Sequence, residues 1–209
     1  WQTLPPGEIV YLENEYLYPE PIKFQKYFHD FYNYAGIHRP VKLYTTPQNY
    51  ISDITTTTDI QGKTGIIKYE IKCQGQGNVK VKVLDKEGNV VGTSEGSCGG
   101  IAIENAILWK PLQSYLYRFV VTLAEEDVYT LKVGIRTVEV RGNEFLINNE
   151  PFYFKGFGKH EDMHIKGKGL DHVINIKDFN LMKWIGANSF RTSHYPYAEE
   201  ILDLADEYG

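Results

Sequence analysis

The sequence predicts a multidomain chain in which β-sandwich structure fills the first ~150 residues and the opening βαβα units of a parallel α/β domain follow. Three observations carry this prediction. Apolar and polar side chains alternate with period two in residues 66–73 (IIKYEIKC) and 79–84 (VKVKVL), as in half-buried antiparallel strands. Past Asp171 the period becomes helical, with Ile176, Phe179, Met182 and Ile185 at successive i+3 steps. Two polar clusters, 156–164 (GFGKHEDMH) and 191–196 (RTSHYP), each follow directly on a short strand candidate.

Taken in order, the elements support the division. Between Leu84 and Val90 lies DKEGN, where Gly88 and Asn89 suit the positive φ of a tight hairpin turn. Strand-like runs follow at 115–123 (YLYRFVVTL) and 129–140 (YTLKVGIRTVEV). Short strands with regular turn signals over about 100 residues suit an immunoglobulin-like sandwich. Residues 152–158 (FYFKGFG) then read as a short aromatic strand. A helix over 173–185 has Asp171 as its N-cap and Gly186 just past its end. Residues 187–192 (ANSFRT) form a second strand candidate. A second amphipathic helix over 197–208 turns Ile201, Leu204, Ala205 and Tyr208 inward and Glu199, Glu200, Asp203 and Asp206 outward. Two parallel strands with two helices neither close a barrel nor bury a parallel sheet. A chain stopping at Gly209, where the next strand would begin, is therefore expected to be a truncated piece.

Composition narrows the function classes. Hydrophobic residues at 42% and charged residues at 23% suffice for a packed core and argue against disorder. A net charge of −5 argues against nucleic acid or an anionic membrane as partner. No apolar run approaches the ~20 residues that span a bilayer. The expected location is cytoplasmic; no signal segment is visible, but the chain starts at Trp1 and not Met, so that absence proves little. Cys73 and Cys98 make neither a disulfide framework nor a metal-ligand spacing and read as free thiols.

The candidate functional residues lie in the two polar clusters and in one segment near the start. In parallel barrels, sites are built at the carboxyl ends of strands, which is where both clusters fall. His160, His164 and His194 are each either loop histidines or site residues, and their repetition after successive strands favours the second reading. His160, Glu161 and His164 as metal ligands are disfavoured, because that stretch is glycine-flanked loop. Glu161 and Asp162 as a catalytic carboxylate pair are disfavoured because the two must flank the scissile bond, and neighbours on an extended loop point apart. Ser193 and His194 as a nucleophilic couple fail for a similar reason. Near the start, residues 27–39 (YFHDFYNYAGIHR) surround His29, Asp30 and Asn33 with aromatic rings, which suits either a sugar site or a loop packed on itself.

Residues 188–209 (NSFRTSHYPYAEEILDLADEYG) resemble the first signature of family 2 glycoside hydrolases. Residues 27–47 (YFHDFYNYAGIHRPVKLYTTP), 151–162 (PFYFKGFGKHED) and 166–171 (KGKGLD) resemble the β-glucuronidase branch of that family more than the β-galactosidases. The resemblance implies three modules: the end of a jelly-roll sugar-binding domain (1–46), an immunoglobulin-like β-sandwich (47–143), and the start of a catalytic (β/α)8 TIM barrel (144–209). It implies substrate-binding roles for three residues, with Asp30 binding sugar hydroxyls, His194 contacting the sugar and His160 near the substrate at the end of the first barrel strand. It also implies that Arg191 hydrogen-bonds the nucleophilic carboxylate. His164 stands where relatives carry Asp. The implied reaction is retaining hydrolysis of β-D-glucuronides through a covalent intermediate, with both catalytic glutamates beyond this chain. It implies no metal and no cofactor, a tetrameric full-length enzyme, and an inactive isolated chain. The alternatives are a β-galactosidase or galacturonidase of the same family, and a non-catalytic carbohydrate-binding β-sandwich module.

Overall fold

The computed structural model describes residues 7–12, 20, 22–27 and 36–209. It divides into two compact units, Trp1–His38 and Arg39–Gly209. In the first, β1 (Gly7–Leu12) and β2 (Ile22–Tyr27) pair antiparallel, with Gly7 opposite Tyr27 and Leu12 opposite Ile22. Lys23 Nζ lies 5.5 Å from the centroid of the Tyr11 ring. Asp30, expected to bind a sugar hydroxyl, falls outside the described residues.

The second unit begins with a two-sheet sandwich. One antiparallel sheet has the order β3 (Tyr50–Gln61), β4 (Thr64–Gln74) and, out of sequence, β7 (Cys98–Ile103). The other has the order β6 (Val90–Glu95), β5 (Val79–Leu84), β8 (Tyr117–Leu123) and β9 (Asp127–Val133). The predicted alternation is realised as alternating burial. Ile67, Tyr69 and Ile71 of β4 face Val79, Val81 and Val83 of β5 and Phe119, Val121 and Leu123 of β8 in one core, while Lys68, Lys80 and Lys82 stay outside. Removing each such aliphatic or aromatic side chain from water contributes roughly 1.5–3 kcal/mol before chain entropy is counted.

Three local expectations are corrected. In the turn after β5 only Gly88 takes positive φ (94°). Asn89 does not, because its backbone N–H and Nδ2 donate to the Asp85 carboxylate at 2.7 and 2.9 Å. The run 129–140 is not one strand: it is the end of β9 and then β10 (Val138–Arg141), which belongs to a separate three-stranded sheet with β11 (Glu144–Ile147) and β12 (Glu150–Pro151). The break falls where the Trp109 ring packs on Gly134; an added Cβ there would lie 2.8 Å from the indole. The aromatic strand expected at 152–158 is displaced to β13 (Gly156–Lys159), because Phe152 and Phe154 pack on Phe145 with ring centroids 6.1 and 4.9 Å away.

From β13 onward the chain follows the parallel pattern. β13 pairs in parallel with β14 (Ser189–Thr192), Gly156 opposite Ser189 and Lys159 opposite Thr192. Gly156 is required there, since a Cβ would sit 2.0 Å from the Ser189 carbonyl oxygen. Asn188 stitches the entry: its Oδ1 accepts from Lys155 N–H at 2.8 Å and its Nδ2 donates to the Tyr153 carbonyl at 2.9 Å. Helix α1 (His172–Trp184) connects the strands, with Asp171 as N-cap accepting from the Val173 and Ile174 amides and Gly186 at φ 76° beyond its end. Phe179 and Met182 are buried as expected. Ile185 is exposed, because it lies past the last helical turn as the C-cap residue. The buried Lys159 ties β13 to α1 through Asp178 at 2.9 Å. Helix α2 (Glu199–Tyr208) buries Ile201 and Leu204, with Ala205 and Tyr208 packed beside them.

The carbonyl end of α2 is finished by the sandwich. A helix leaves its last four C=O groups without internal partners. Trp109 Nε1–H donates to the Asp206 carbonyl at 2.7 Å, the Ser114 hydroxyl donates to the Glu207 carbonyl, and Leu112 N–H donates to the Gly209 carbonyl at 2.7 Å. Asp206 and Glu207 put acidic side chains at the negative end of the helix dipole. Arg136 pairs with Asp206 at 3.1 Å and Lys132 pairs with Glu207, which offsets that placement. The Arg136 guanidinium also lies 4.5 Å from the Trp109 ring centroid. No described helix is long and apolar enough to cross a membrane.

Two predictions test this account. Phe119→Ala opens a cavity in the sandwich core and lowers unfolding stability by about 3–5 kcal/mol in urea titration; a loss under about 1 kcal/mol would show the core relaxes around the site. The Lys166 ammonium, at 2.6 Å, and the Ile174 and Val173 amides hold the Asp171 carboxyl below its ordinary pKa. A depressed folded-state pKa stabilises above the unfolded carboxylate range and ceases to do so as pH falls through the folded value. The stability gap between wild type and Asp171→Ala is therefore expected to narrow on acidification, measured as unfolding midpoints between neutral pH and the acid range. A pH-independent gap sinks that attribution.

Candidate functional site at the carboxyl ends of the parallel strands

Two loops leave the carboxyl ends of β13 and β14; each predicted cluster begins within its strand, at 156–159 and 191–192, and runs on into the loop. The His160 and His194 rings come within 6.0 Å, centroid to centroid, in an edge-on arrangement. Tyr195, next to His194 on the loop after β14, reaches the other loop: its ring centroid is 5.8 Å from that of His160 and its hydroxyl is 3.5 Å from His160 Nδ1. Tyr195 stacks on Tyr197 at 5.0 Å, and the Lys168 ammonium caps the other ring contact at 3.8 Å from the Tyr195 centroid. Burial pushes both phenols above the usual tyrosine range; the charges of Asp162 and Glu161 add to this at Tyr195, and the adjacent Tyr195 adds to it at Tyr197. Both rings therefore act as neutral hydroxyls at ordinary pH.

Glu161 lies at the centre of the loop contacts. Its side chain is 4% exposed. Its Oε2 accepts from Arg39 Nη2 at 2.7 Å, its Oε1 accepts from the Ala198 amide at 2.8 Å, and its own amide donates to the Tyr195 hydroxyl at 2.9 Å. Arg39 Nη2 also donates to the Pro196 carbonyl at 3.1 Å. A carboxylate engaged on both oxygens by a cation and a backbone amide is poorly placed to act as a nucleophile or acid. Asp162 differs: its Oδ1 is buried and has no hydrogen-bond partner. An orphaned buried acceptor costs about 1–3 kcal/mol unless something meets it, so this oxygen is a candidate ligand contact.

The remaining predicted residues are spread around this centre. Arg191 is exposed opposite Gly158 in the parallel register, and its Nη2 would lie 3.9 Å from a Cβ placed at Gly158, so the guanidinium extends over that glycine. His194 is exposed with φ 76°, while its neighbour Ser193 is 2% exposed and takes its amide to the Tyr197 hydroxyl at 3.2 Å. The two side chains do not form a couple. His164 is exposed on a small turn closed by reciprocal 2.9 Å bonds between Met163 and Gly167, apart from His160 and His194. Among the described residues no group of three or more His, Cys, Asp or Glu side chains is placed to hold a metal ion.

Sequence reasoning missed the parts played by Tyr195, Lys168 and the Arg39–Glu161 pair. The first two are visible only as loop residues. The pair is separated by 122 positions, which no local pattern reveals.

Comparison with known proteins places this geometry in a lineage. The family model described as "Glycosyl hydrolases family 2" matches residues 49–136, and "Glycosyl hydrolases family 2, TIM barrel domain" matches residues 138–209. A β-glucuronidase of Paenibacillus borealis is 60% identical over 215 residues, an alignment covering 100% of this chain and 36% of the relative. The β-glucuronidase of Homo sapiens is 47% identical over 221 residues, covering 99% of this chain and 34% of the relative. The solved structure of the β-D-glucuronidase of Dictyoglomus thermophilum superposes with a TM-score of 0.85 at 54% identity, covering 100% of this chain and 36% of that one. The chain thus spans about a third of the length of the curated relatives it matches. The sandwich, the two parallel strands and the loops that carry the paired histidines are those of glycosyl hydrolase family 2, and the chain belongs to that family.

Proposed function

We propose that this chain supplies the sandwich and the first two βα units of a retaining β-glucuronidase. The observation that carries the reading is the identity of 60% to a β-glucuronidase across the whole chain. The convergence of His160 and His194 at the strand ends supports it. In this reading residues 1–46, 47–143 and 144–209 are successive modules. Asp30, His160 and His194 bind sugar hydroxyls, and the unpartnered oxygen of Asp162 joins them. Arg191 presents a fixed cation to the nucleophilic carboxylate, which favours its ionised form.

Retaining hydrolysis needs two carboxyl groups ~5–5.5 Å apart, one as nucleophile and one as acid/base. The nucleophile displaces the aglycone from the anomeric carbon as the acid protonates the leaving oxygen. The same acid/base, now deprotonated, then activates the water that releases the sugar. Both groups are proposed to come from sequence beyond the 209 residues, since Glu161 is committed to Arg39 and Ala198. The roles left to this chain are to hold the sugar and to orient the nucleophile.

Hydrolysis of a chromogenic β-D-glucuronide by the 209-residue chain, beside the same gene read past Gly209, tests the reading. Activity in the longer protein alone is expected. Activity in the short chain would overturn the assignment of both carboxylates, and activity only on β-galactosides would overturn the substrate.

A further inference from the structure

Glu161 sits between the two residues proposed to meet the sugar, His160 and Asp162, and its side chain points away from solvent into a closed set of partners. Those partners all belong to other parts of the chain. The cation comes from Arg39, ahead of the sandwich. The amide is that of Ala198, where the β14 loop turns into α2, and the hydroxyl bound to the Glu161 amide is that of Tyr195. One residue therefore holds the loop after β13 against three positions of the loop after β14: 195, 198 and, through Arg39, the carbonyl of 196. His194 precedes these positions in a left-handed backbone conformation (φ 76°), which an unconstrained non-glycine residue rarely adopts.

We propose that the half-buried Arg39 and the buried Glu161 form an ionic clamp that registers the two histidine-bearing loops, making both of them positioning residues for sugar binding. The proposal rests on the functional reading above. A carboxylate this deeply buried is tolerated only while its cation and hydrogen bonds are in place. Loss of Arg39 releases Glu161 toward water and takes the Tyr195 and Ala198 contacts with it. The separation of the His160 and His194 rings then drifts, and a displacement of about 1 Å in such positioning groups weakens function by up to about a hundredfold.

Two readouts test it. In the 209-residue chain, amide hydrogen exchange at Ala198 is compared between wild type and Arg39→Met, with Lys132→Met as a control at the far end of α2. The clamp predicts exchange at Ala198 at least about tenfold faster in Arg39→Met and unchanged in the control. In the protein extended past Gly209, Arg39→Met raises KM for a chromogenic β-D-glucuronide by about tenfold or more with a smaller fall in kcat. Arg39→Lys recovers part of that loss. The double variant Arg39→Met/Glu161→Gln loses less than the two single changes together, because no unpaired charge remains. A role confined to stability would lower the active fraction, and so apparent kcat, without moving KM. Unchanged exchange at Ala198 overturns the clamp, and an unchanged KM in folded Arg39→Met overturns its part in sugar binding. If the extended wild type hydrolyses no glucuronide, the functional reading fails, and the exchange measurement decides the clamp on its own.

Discussion

A carboxylate out of contact with water demands compensation, and at Glu161 that demand organises the loops at the carboxyl ends of β13 and β14. Desolvating the charge costs several kcal/mol in a protein interior, so its partners must be supplied with good geometry. The chain supplies them from two separate segments, the Arg39 guanidinium and the Ala198 amide, while the Glu161 backbone amide donates to the Tyr195 hydroxyl. Ala198 is the N-cap residue of α2 and has no side-chain cap of its own. The buried acid thus stands next to the amino end of that helix, where the dipole favours negative charge. The same residue satisfies the helix entry and joins the two loops, so the local order of both depends on it.

The sandwich contributes at the opposite end. Its strands form a core that needs nothing from the parallel strands, since the wholly buried Ile67, Val83, Phe119 and Val121 all lie between its own two sheets. The donors that reach α2 come from its edge, at Trp109, Leu112 and Ser114, with Lys132 and Arg136 adding charge. Helix α2 is therefore held at its amino end by a carboxylate of the loop after β13 and at its carboxyl end by the sandwich. Its inward stripe of Ile201 and Leu204 packs against Phe179 and Met182 of α1 between those two fixed points.

Much of this was legible in the sequence, where a residue's environment follows from its near neighbours. Period-two alternation marked β4 and β5 because each buries one face. Asp171 and Gly186 announced the ends of α1 because capping chemistry is local, and the βαβα order correctly implied a parallel pair. Failures came where distant packing decided. The run 129–140 keeps strand composition throughout, yet it divides where the Trp109 ring, far away in sequence, presses on Gly134. The aromatic residues 152 and 154 have strand propensity but were claimed by Phe145. Ile185 completed an i+3 stripe on paper and projects into solvent in fact, because the helix ends before it. Among the candidate residues, the motif drew attention to His160 and His194, whose rings come within 6.0 Å; Arg39 and Glu161 as partners could not be read, since an ion pair spanning 122 positions leaves no periodic trace.

The way the sandwich completes α2 also bears on the order in which the chain can mature. Trp109 and Ser114 precede their carbonyl acceptors by 97 and 93 residues, and Lys132 precedes Glu207 by 75. A chain made from its amino end exposes the sandwich to folding well before α2 has left the ribosome. The donors then stand on a finished surface, and the last turn of the helix docks onto a template without having to nucleate by itself. For a ten-residue helix, too short to persist alone in water, that template is a substantial part of why it exists.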